Sequence, residues 1–512
     1  MKLEALTRGL EYTLLQGTMD KDVKALIYFS EKTVPGSMFF AVPGTEKNGL
    51  DYAAEAVRRG AETVVVQDAW YPPQNPCTAG SGPSEVTVLL VQDVRRTMAQ
   101  VSCRFYGYPC RQLLTIGVTG TKGKTSTAFM IREMLEGAGI PTGLIGTVKY
   151  GWDGHFQEAD RTTPQPVEIQ KWCRAMADHG CRAVVMEVSS QGMKQYRVEG
   201  IDFTVGVFTN LNADHIGPGE HDSFEEYAAC KARLLQQCSI AVINEDEEKW
   251  KDWLHPEAEQ KVITFGKSDC AAYRCTDIRP VYVDYKPAAS FQLQGRQLYL
   301  PVPGEFNVLN AAGAAAAALE LGADWESVAK TLKRIKIPGR LEPADTGGKT
   351  NVLVDYAHTG PALRQVLSSL RPYTKKRLIV VFGCGGSRDR NRRREMGWAA
   401  AELADLVIVT SDNPRNENPE QIIKDITDAM DEAIGQGAAG RYQIEPDRRK
   451  AILKAVTEGG KHDMILIAGK GHETSQLVNG EKIYFDDRQA VLDAVKLTGN
   501  QGSNKKLGEE QI

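Results

Sequence analysis

The apolar run Leu113-Leu114-Thr115-Ile116 leads directly into Gly117-Val-Thr-Gly120-Thr121-Lys122-Gly123-Lys124-Thr125-Ser126-Thr127, and an amphipathic stretch follows from Thr127 to Glu136. A buried strand, a glycine loop and a helix in that order restrict the chain to an α/β fold with a phosphate cradle at a helix N-terminus. Glycines let backbone N–H groups close on a phosphate, and the helix dipole favours the anion. Lys124 adds a point charge, and the Thr125 hydroxyl suits Mg²⁺. The usual spacing places a small residue five before Gly123; Val118 stands there and Gly117 comes one place earlier. An ordinary strand-turn-helix is the alternative, but glycines, lysine and threonine coincide here with strand-to-helix context.

A chain of 512 residues exceeds what one core supports, so three domains are expected. The net charge is −4 without a basic block, which gives no reason to expect nucleic acid. No apolar run reaches the roughly 20 residues of a membrane span. Met1 to Gly17 is charged throughout and has no signal-peptide core. Ten cysteines are scattered without a Cys-x-x-Cys pair, the usage of reduced thiols in the cytoplasm.

Residues 1–112 read as a small N-terminal α/β domain. Its strands lie near Met38 to Val42, Thr63 to Val66 and Val86 to Val91, with a helix at Tyr52 to Arg59. Pro72, Pro73, Pro76 and Pro83 mark Tyr71 to Ser84 as a surface loop. Residues 113–337 read as a central P-loop-type ATPase domain with a mostly parallel sheet. Strands at Ala183 to Met186, Thr204 to Phe208 and Ile240 to Ile243 alternate there with helices, and an alanine-rich helix covers Leu309 to Leu321. Ile337-Pro338-Gly339-Arg340 is the expected hinge into a Rossmann-like third domain, 338–498. Four apolar runs there finish in polar or glycine tails: Val352 to His358, Leu378 to Gly386, Leu406 to Arg415 and Met464 to Glu473. Ligands of open parallel sheets gather at such strand ends. Residues 499–512 have no core pattern and read as a disordered tail.

Two further segments carry chemistry. Glu187-Val-Ser-Ser190 ends one central strand, and Thr209-Asn-Leu-Asn-Ala-Asp214-His215 ends another. A carboxylate, the Thr125 hydroxyl and nucleotide phosphates would suit Mg²⁺, whereas a histidine ligand is unusual for it. Alone, His215 reads as a loop histidine, and Glu187 is divided between helix capping and metal binding. Tyr227 to Leu235 reads as an amphipathic helix with a solvated Lys231.

The phosphate loop, Glu187-Val-Ser-Ser190, Asn210 to His215 and the Tyr227-x-x-x-Lys231 helix, in this order, resemble the Mur ligase family. Asp355-Tyr-Ala-His358, Phe382 to Gly386, Asp412 to Arg415 and Gly469 to Glu473 extend the similarity to nearly the whole chain. They resemble the branch that adds the third residue of the peptidoglycan stem peptide. The resemblance implies ATP-driven formation of an acyl phosphate on a carboxylate, then attack by an amine to give an amide. It implies Mg²⁺ with ATP as co-substrate, and CO₂ to carbamylate Lys231. It also implies a sugar-nucleotide dipeptide (UDP-MurNAc-L-Ala-D-Glu) and an amino acid as substrates, and a monomer in the cytoplasm.

Position by position, the resemblance assigns ATP to Gly120, Thr121, Lys122, Gly123, Lys124, Thr125 and Ser126, with Asn307, Arg340, Asp355 and His358. Metal ions fall to Thr125, Glu187, His215 and a carbamylated Lys231, and catalysis to Lys124, Glu187, His215 and Lys231. The sugar nucleotide falls to Ser30, Thr162, Thr163, Ser189, Gln195 and Arg197. The amino acid falls to Arg388, Asp412, Asn413, Pro414, Arg415, Gly469 and Glu473. Arg415 offers a planar fork for the second carboxylate of meso-diaminopimelate, and Glu473 an anion for its distal ammonium. The chain has Lys122 where the family usually has Asn, Gln191 where it has His, and Phe29-Ser30-Glu31 where it has Asp-Ser-Arg. A relative with L-lysine or another acceptor, and a non-catalytic nucleotide-binding regulator, are the alternatives.

Overall fold

The computed structural model describes residues 1–44, 47–69, 86–212, 216–217, 220–248, 250–253, 260–348 and 350–509, with side chains to 498. The expected surface loop at 71–84 therefore lies outside the described residues. The chain forms two compact units, Met1–Tyr273 with Gly313–Trp325, and Arg274–Ala312 with Glu326–Ile512.

The first unit holds two sheets. The N-terminal strands are β1 (Thr13–Gln16), β2 (Ala25–Ile27), β3 (Ser37–Phe40), β4 (Ala61–Val66) and β5 (Thr87–Leu90). They lie in the order β1-β5-β4-β3-β2, parallel except for β1. Side chains alternate across a strand, so β3 and β4 feed two cores. Met38, Phe40 and Val65 pack with Leu3, Leu6, Met98 and Val101 on one face. Phe39, Val64 and Val66 pack with Ala53 and Ala56 on the other.

The second sheet contains β6 (Leu114–Thr119), β7 (Thr142–Ile145), β8 (Lys149–Gly151), β9 (Gln157–Glu158), β10 (Ala183–Glu187), β11 (Phe203–Phe208), β12 (Cys238–Asn244) and β13 (Lys261–Gly266). Within this unit the order is β13-β12-β11-β6-β10-β7-β8-β9. Strands from β13 to β7 are parallel, and β8 and β9 turn back antiparallel. Parallel strands covered on both faces need nearly continuous apolar runs, which β10 and β11 supply. Gly117 and Gly206 sit side by side in register. A Cβ on Gly117 would lie 2.7 Å from Leu234 Cδ1, so glycine lets the helix Phe224–Gln236 pack closely against β6.

The second unit holds an antiparallel meander of β14 (Tyr273–Val283), β15 (Lys286–Leu293) and β16 (Arg296–Leu300). Its main sheet contains β17 (Glu342–Pro343), β18 (Asn351–Asp355), β19 (Leu378–Phe382), β20 (Leu406–Val409), β21 (Arg441–Ile444) and β22 (Met464–Ala468). The order is β17-β18-β22-β19-β20-β21, parallel except for β17. A hairpin of β23 (Ser475–Val478) and β24 (Glu481–Tyr484) follows. The strand order reverses between β18 and β19 with β22 between them, the place where open α/β sheets leave a crevice.

Several expectations change. The helix after the glycine loop begins at Lys124 rather than Thr127, because Gly123 takes the left-handed N-cap position at φ 83°. The four apolar runs of the third domain end as strands at Asp355, Phe382, Val409 and Ala468, and their polar tails are loops. The helix Asp487–Glu509 runs on through most of the segment expected to be disordered. Its first turns are anchored by buried Ala490, Val491 and Ala494, and extending a nucleated helix costs little. The hairpins were not anticipated. Asn479-Gly480, both at positive φ, is the strongest short hairpin signal and marks β23–β24. Asp284-Tyr285, at φ 50° and 62°, turns β14 into β15 without a glycine to announce it.

Candidate active site

The glycine loop is held by the segment after β11. Thr121 N donates to Asn210 O at 2.9 Å. The Asn210 amide clamps the Lys122 peptide, accepting from its N at 2.9 Å and donating to its O at 3.1 Å. Gly120 sits at φ 143°, and a Cβ there would collide with Thr209 Oγ1. Lys124 Nζ donates to Gly120 O at 2.7 Å and Thr121 O at 3.0 Å, so the ammonium folds over its own loop.

Glu187 ends β10 beside this loop and is 1% exposed. Its carboxylate accepts from Thr125 Oγ1 at 2.9 Å, Thr147 N at 2.8 Å and Thr147 Oγ1 at 3.0 Å. The helix-capping role falls to Ser189, whose Oγ accepts from Gly192 N at 3.0 Å. Thr125 and Glu187 thus place a hydroxyl and a carboxylate together at a helix N-terminus. Hard oxygen donors of this kind suit Mg²⁺ and would leave room for waters and phosphate oxygens.

Lys231 corrects the reading of a solvated lysine: it is 1% exposed. Its Nζ donates to Gly120 O at 2.8 Å and lies 4.5 Å from the Tyr227 ring centroid. Tyr227 in turn exchanges a hydroxyl hydrogen bond with Thr121 at 2.9 Å. The helix therefore presents both residues to the phosphate loop. An ammonium cannot ligate a cation, so Lys231 fits a metal role only in a carboxylated form. His215 lies outside the described residues.

The residues assigned to the sugar nucleotide gather nearby. Thr162 Oγ1 pairs with Thr147 Oγ1 at 3.1 Å, and Thr163 Oγ1 lies 3.2 Å from Ser189 Oγ. Arg197 Nη1 donates to Thr163 O at 2.6 Å. Gln195 Oε1 receives Arg197 Nη2 at 2.6 Å and Arg95 Nη1 at 3.5 Å. Burial, reinforced by Arg161 and Arg95, lowers the Arg197 guanidinium to about 10. Two guanidiniums sharing a neutral amide oxygen favour an incoming anion. Sequence reading missed Arg95 and Arg161, since isolated arginines carry no spacing signal. Ser30 is buried and its Oγ donates to Glu55 Oε2 at 2.8 Å.

In the second unit, Asp355 is buried, accepting from Leu341 N and Ala357 N at 2.8 Å each. Burial raises its carboxyl above the ordinary range, against the opposing pull of Arg340. Arg340 stacks 4.6 Å from the Tyr356 ring centroid, and His358 Nδ1 lies 2.9 Å from Tyr356 O. Buried Asn307 donates to Pro303 O at 2.8 Å.

A cavity of about 150 Å³ opens at the ends of β19, β20 and β22. Arg388, Asp412, Asn413, Arg415, Gly469 and Glu473, expected from the sequence to serve the amino acid, line it together with His358, expected to serve ATP, and with Tyr356, Asp389, Arg392 and Arg393. Pro414 is not on this wall; its carbonyl lies against Gly386. Arg415 takes a left-handed backbone at φ 54°, secured by Arg415 N to Leu477 O at 2.9 Å and Asn479 N to Arg415 O at 2.7 Å. Its Nη1 donates to Gly386 O at 2.6 Å, and burial followed by neighbouring Arg388 lowers its pKa. Such strain, overdetermined by the β23 strand, is typical of binding sites. A Cβ on Gly385 would lie 2.8 Å from Arg415 Nη1, displacing the guanidinium tip alone. Gly385→Ala is therefore expected to raise the amino-acid KM roughly tenfold without lowering Tm; steady-state kinetics and a melting curve check this.

The cradle, its carboxylate and a mixed-charge pocket define an ATP-dependent ligase architecture. The Mur ligase middle domain family matches residues 118–318, and the Mur ligase glutamate ligase domain family matches 339–471. The chain belongs to the Mur ligase family. It is 36% identical over 493 residues to UDP-N-acetylmuramoyl-L-alanyl-D-glutamate--2,6-diaminopimelate ligase of Caldanaerobacter subterraneus subsp. tengcongensis, covering 96% of this chain and 98% of the relative. It is 39% identical over 493 residues to the ligase of that name from Gloeobacter violaceus, covering 94% and 96%. A solved structure of a ligase of that name superposes with a TM-score of 0.65 at 29% identity, covering 98% and 99%. Among the described residues no helix is long and apolar enough to cross a membrane.

Proposed function

We propose that this chain is an ATP-dependent ligase joining meso-2,6-diaminopimelate to UDP-N-acetylmuramoyl-L-alanyl-D-glutamate in peptidoglycan precursor synthesis. A carboxylate oxygen of the acceptor bonds to the γ-phosphorus of ATP as the bond to ADP breaks, giving an acyl phosphate. The neutral amine of the amino acid then bonds to the acyl carbon, phosphate leaves, and the amine loses a proton. The chain's residues position and shield these steps. Lys124 and the loop N–H groups hold the phosphates. Arg197, Gln195, Thr162, Thr163 and Ser189 hold the acceptor. Asn307, Arg340, Asp355 and His358 serve the nucleotide.

Mg²⁺ would supply charge neutralisation between the two anions. Thr125 and Glu187 would hold it among the described residues, His215 is assigned to it by the family pattern, and Lys231 would join them as a carbamate. That modification needs a neutral Lys231 amine, whose nitrogen bonds to the carbon of CO₂ with loss of a proton. We place the enzyme in the cytoplasm as a monomer.

The observation that carries the choice of amino acid is the pocket. Four arginines, Arg388, Arg392, Arg393 and Arg415, and three carboxylates, Asp389, Asp412 and Glu473, line one cavity. This suits a distal group bearing both a carboxylate and an ammonium. The test is ADP release with Mg²⁺, bicarbonate and the sugar-nucleotide dipeptide. Release is expected with meso-diaminopimelate and little with L-lysine; preference for L-lysine would overturn the pocket assignment. A second reading keeps the ligation and changes the acceptor. It is favoured by Ser30 being engaged by Glu55, with Phe29 and Glu31 beside it. No ADP release with this acceptor and either amino acid would favour it.

A further inference from the structure

Lys470 lies between Gly469 and Glu473 in sequence and does not itself line the amino-acid pocket. It is 0% exposed. Its Nζ donates to Asn413 Oδ1 at 3.1 Å and to Glu473 Oε2 at 3.1 Å, with Asp412 Oδ1 at 3.9 Å. Asn413 Nδ2 donates to the same Glu473 Oε2 at 3.0 Å. Asn413 Oδ1 also accepts from Leu477 N at 3.0 Å, which ties the cluster to β23. Gly469, at φ 112°, has no Cβ; one would lie 2.5 Å from Asp412 Oδ2, so the backbone before Lys470 is pressed onto that carboxylate. One buried ammonium therefore joins three residues of the amino-acid pocket while lying behind its wall.

The charge consequence follows from Coulomb's law at short range in a poorly solvated site. Without Lys470, Asp412 and Glu473 would hold a distal ammonium more strongly, including that of a diamino acid with no second carboxylate, even with Arg388, Arg392, Arg393 and Arg415 on the cavity wall. A cation behind them weakens that attraction and adds positive potential, which a distal carboxylate uses and a lone ammonium does not. Resting on the pocket assignment above, we propose that Lys470 is a positioning residue that sets amino-acid specificity. It fixes Asn413 and Glu473 and offsets their charge so that the pocket favours a distal carboxylate–ammonium pair over a lone ammonium.

The experiment is steady-state kinetics of the full chain and its Lys470→Gln and Lys470→Arg variants, with meso-diaminopimelate, L-lysine and ATP each varied. Lys470→Gln keeps a donor and loses the charge. It is expected to raise KM for diaminopimelate about tenfold and to cut the diaminopimelate-to-lysine ratio of kcat/KM about tenfold, with KM for ATP unmoved. Lys470→Arg keeps the charge and is expected to retain most of the preference, which decides the matter if the glutamine variant does not fold. An unchanged ratio in Lys470→Gln, or an equal loss of ratio in both variants, would overturn the proposal while leaving the enzyme's function intact. A parent enzyme inactive with diaminopimelate would overturn the substrate reading and this proposal with it.

Discussion

Lys231→Ala is expected to lower kcat for ligation by about a thousandfold, the scale of removing a preorganised charged group from a phosphoryl-transfer site. The side chain is buried against Gly120 O and the Tyr227 ring. Alanine removes both the ammonium and the carbamate proposed to form on it. Added short carboxylates should restore part of the rate in Lys231→Ala by entering the vacated space as anions. Full activity without rescue would remove Lys231 from the mechanism. Loss without rescue, accompanied by a lower Tm, would make it a packing residue.

Arg415→Ala should raise KM for meso-diaminopimelate about a hundredfold, the upper range for losing hydrogen bonds to a charged group. KM for ATP should stay within a factor of about two if Arg415 serves the proposed amino-acid pocket and not the nucleotide. Arg415→Gly sharpens the test. It removes the same guanidinium and also relieves a left-handed backbone that a non-glycine residue holds at φ 54°. Its Tm should equal or exceed that of Arg415→Ala while the KM defect persists. Equal rises in KM for ATP and diaminopimelate would show the arginine to be structural.

The phosphate cradle was legible because strand, glycines, lysine and threonine are contiguous, so local chemistry dictates it. The parallel strands were legible because burial on both faces demands unbroken apolar runs, as in Ala183–Glu187 and Leu378–Phe382. The environment of Lys231 was not. Helical periodicity treats a lysine as solvated, and only packing of Phe224–Gln236 over Gly117 carries it to the loop. Arg95, Arg161 and Lys470 were silent for a related reason, since their partners are distant in sequence or hidden behind a pocket wall. Ser30 was assigned a ligand role, and the structure gives it Glu55, 25 residues away. The meander at Tyr273–Leu300 escaped because its first turn uses Asp284 and Tyr285 where glycine or asparagine would have announced it.

The central claim is that the chain forms an amide between a sugar-nucleotide dipeptide and a diamino acid bearing two carboxylates. Mass spectrometry of the products tests it most directly, with ATP, Mg²⁺, bicarbonate, the UDP-N-acetylmuramoyl dipeptide and equal concentrations of meso-diaminopimelate and L-lysine. The diaminopimelate-containing tripeptide is expected as the dominant product, with one ADP per amide. A dominant lysine product, or ADP formed without any amide, would contradict it.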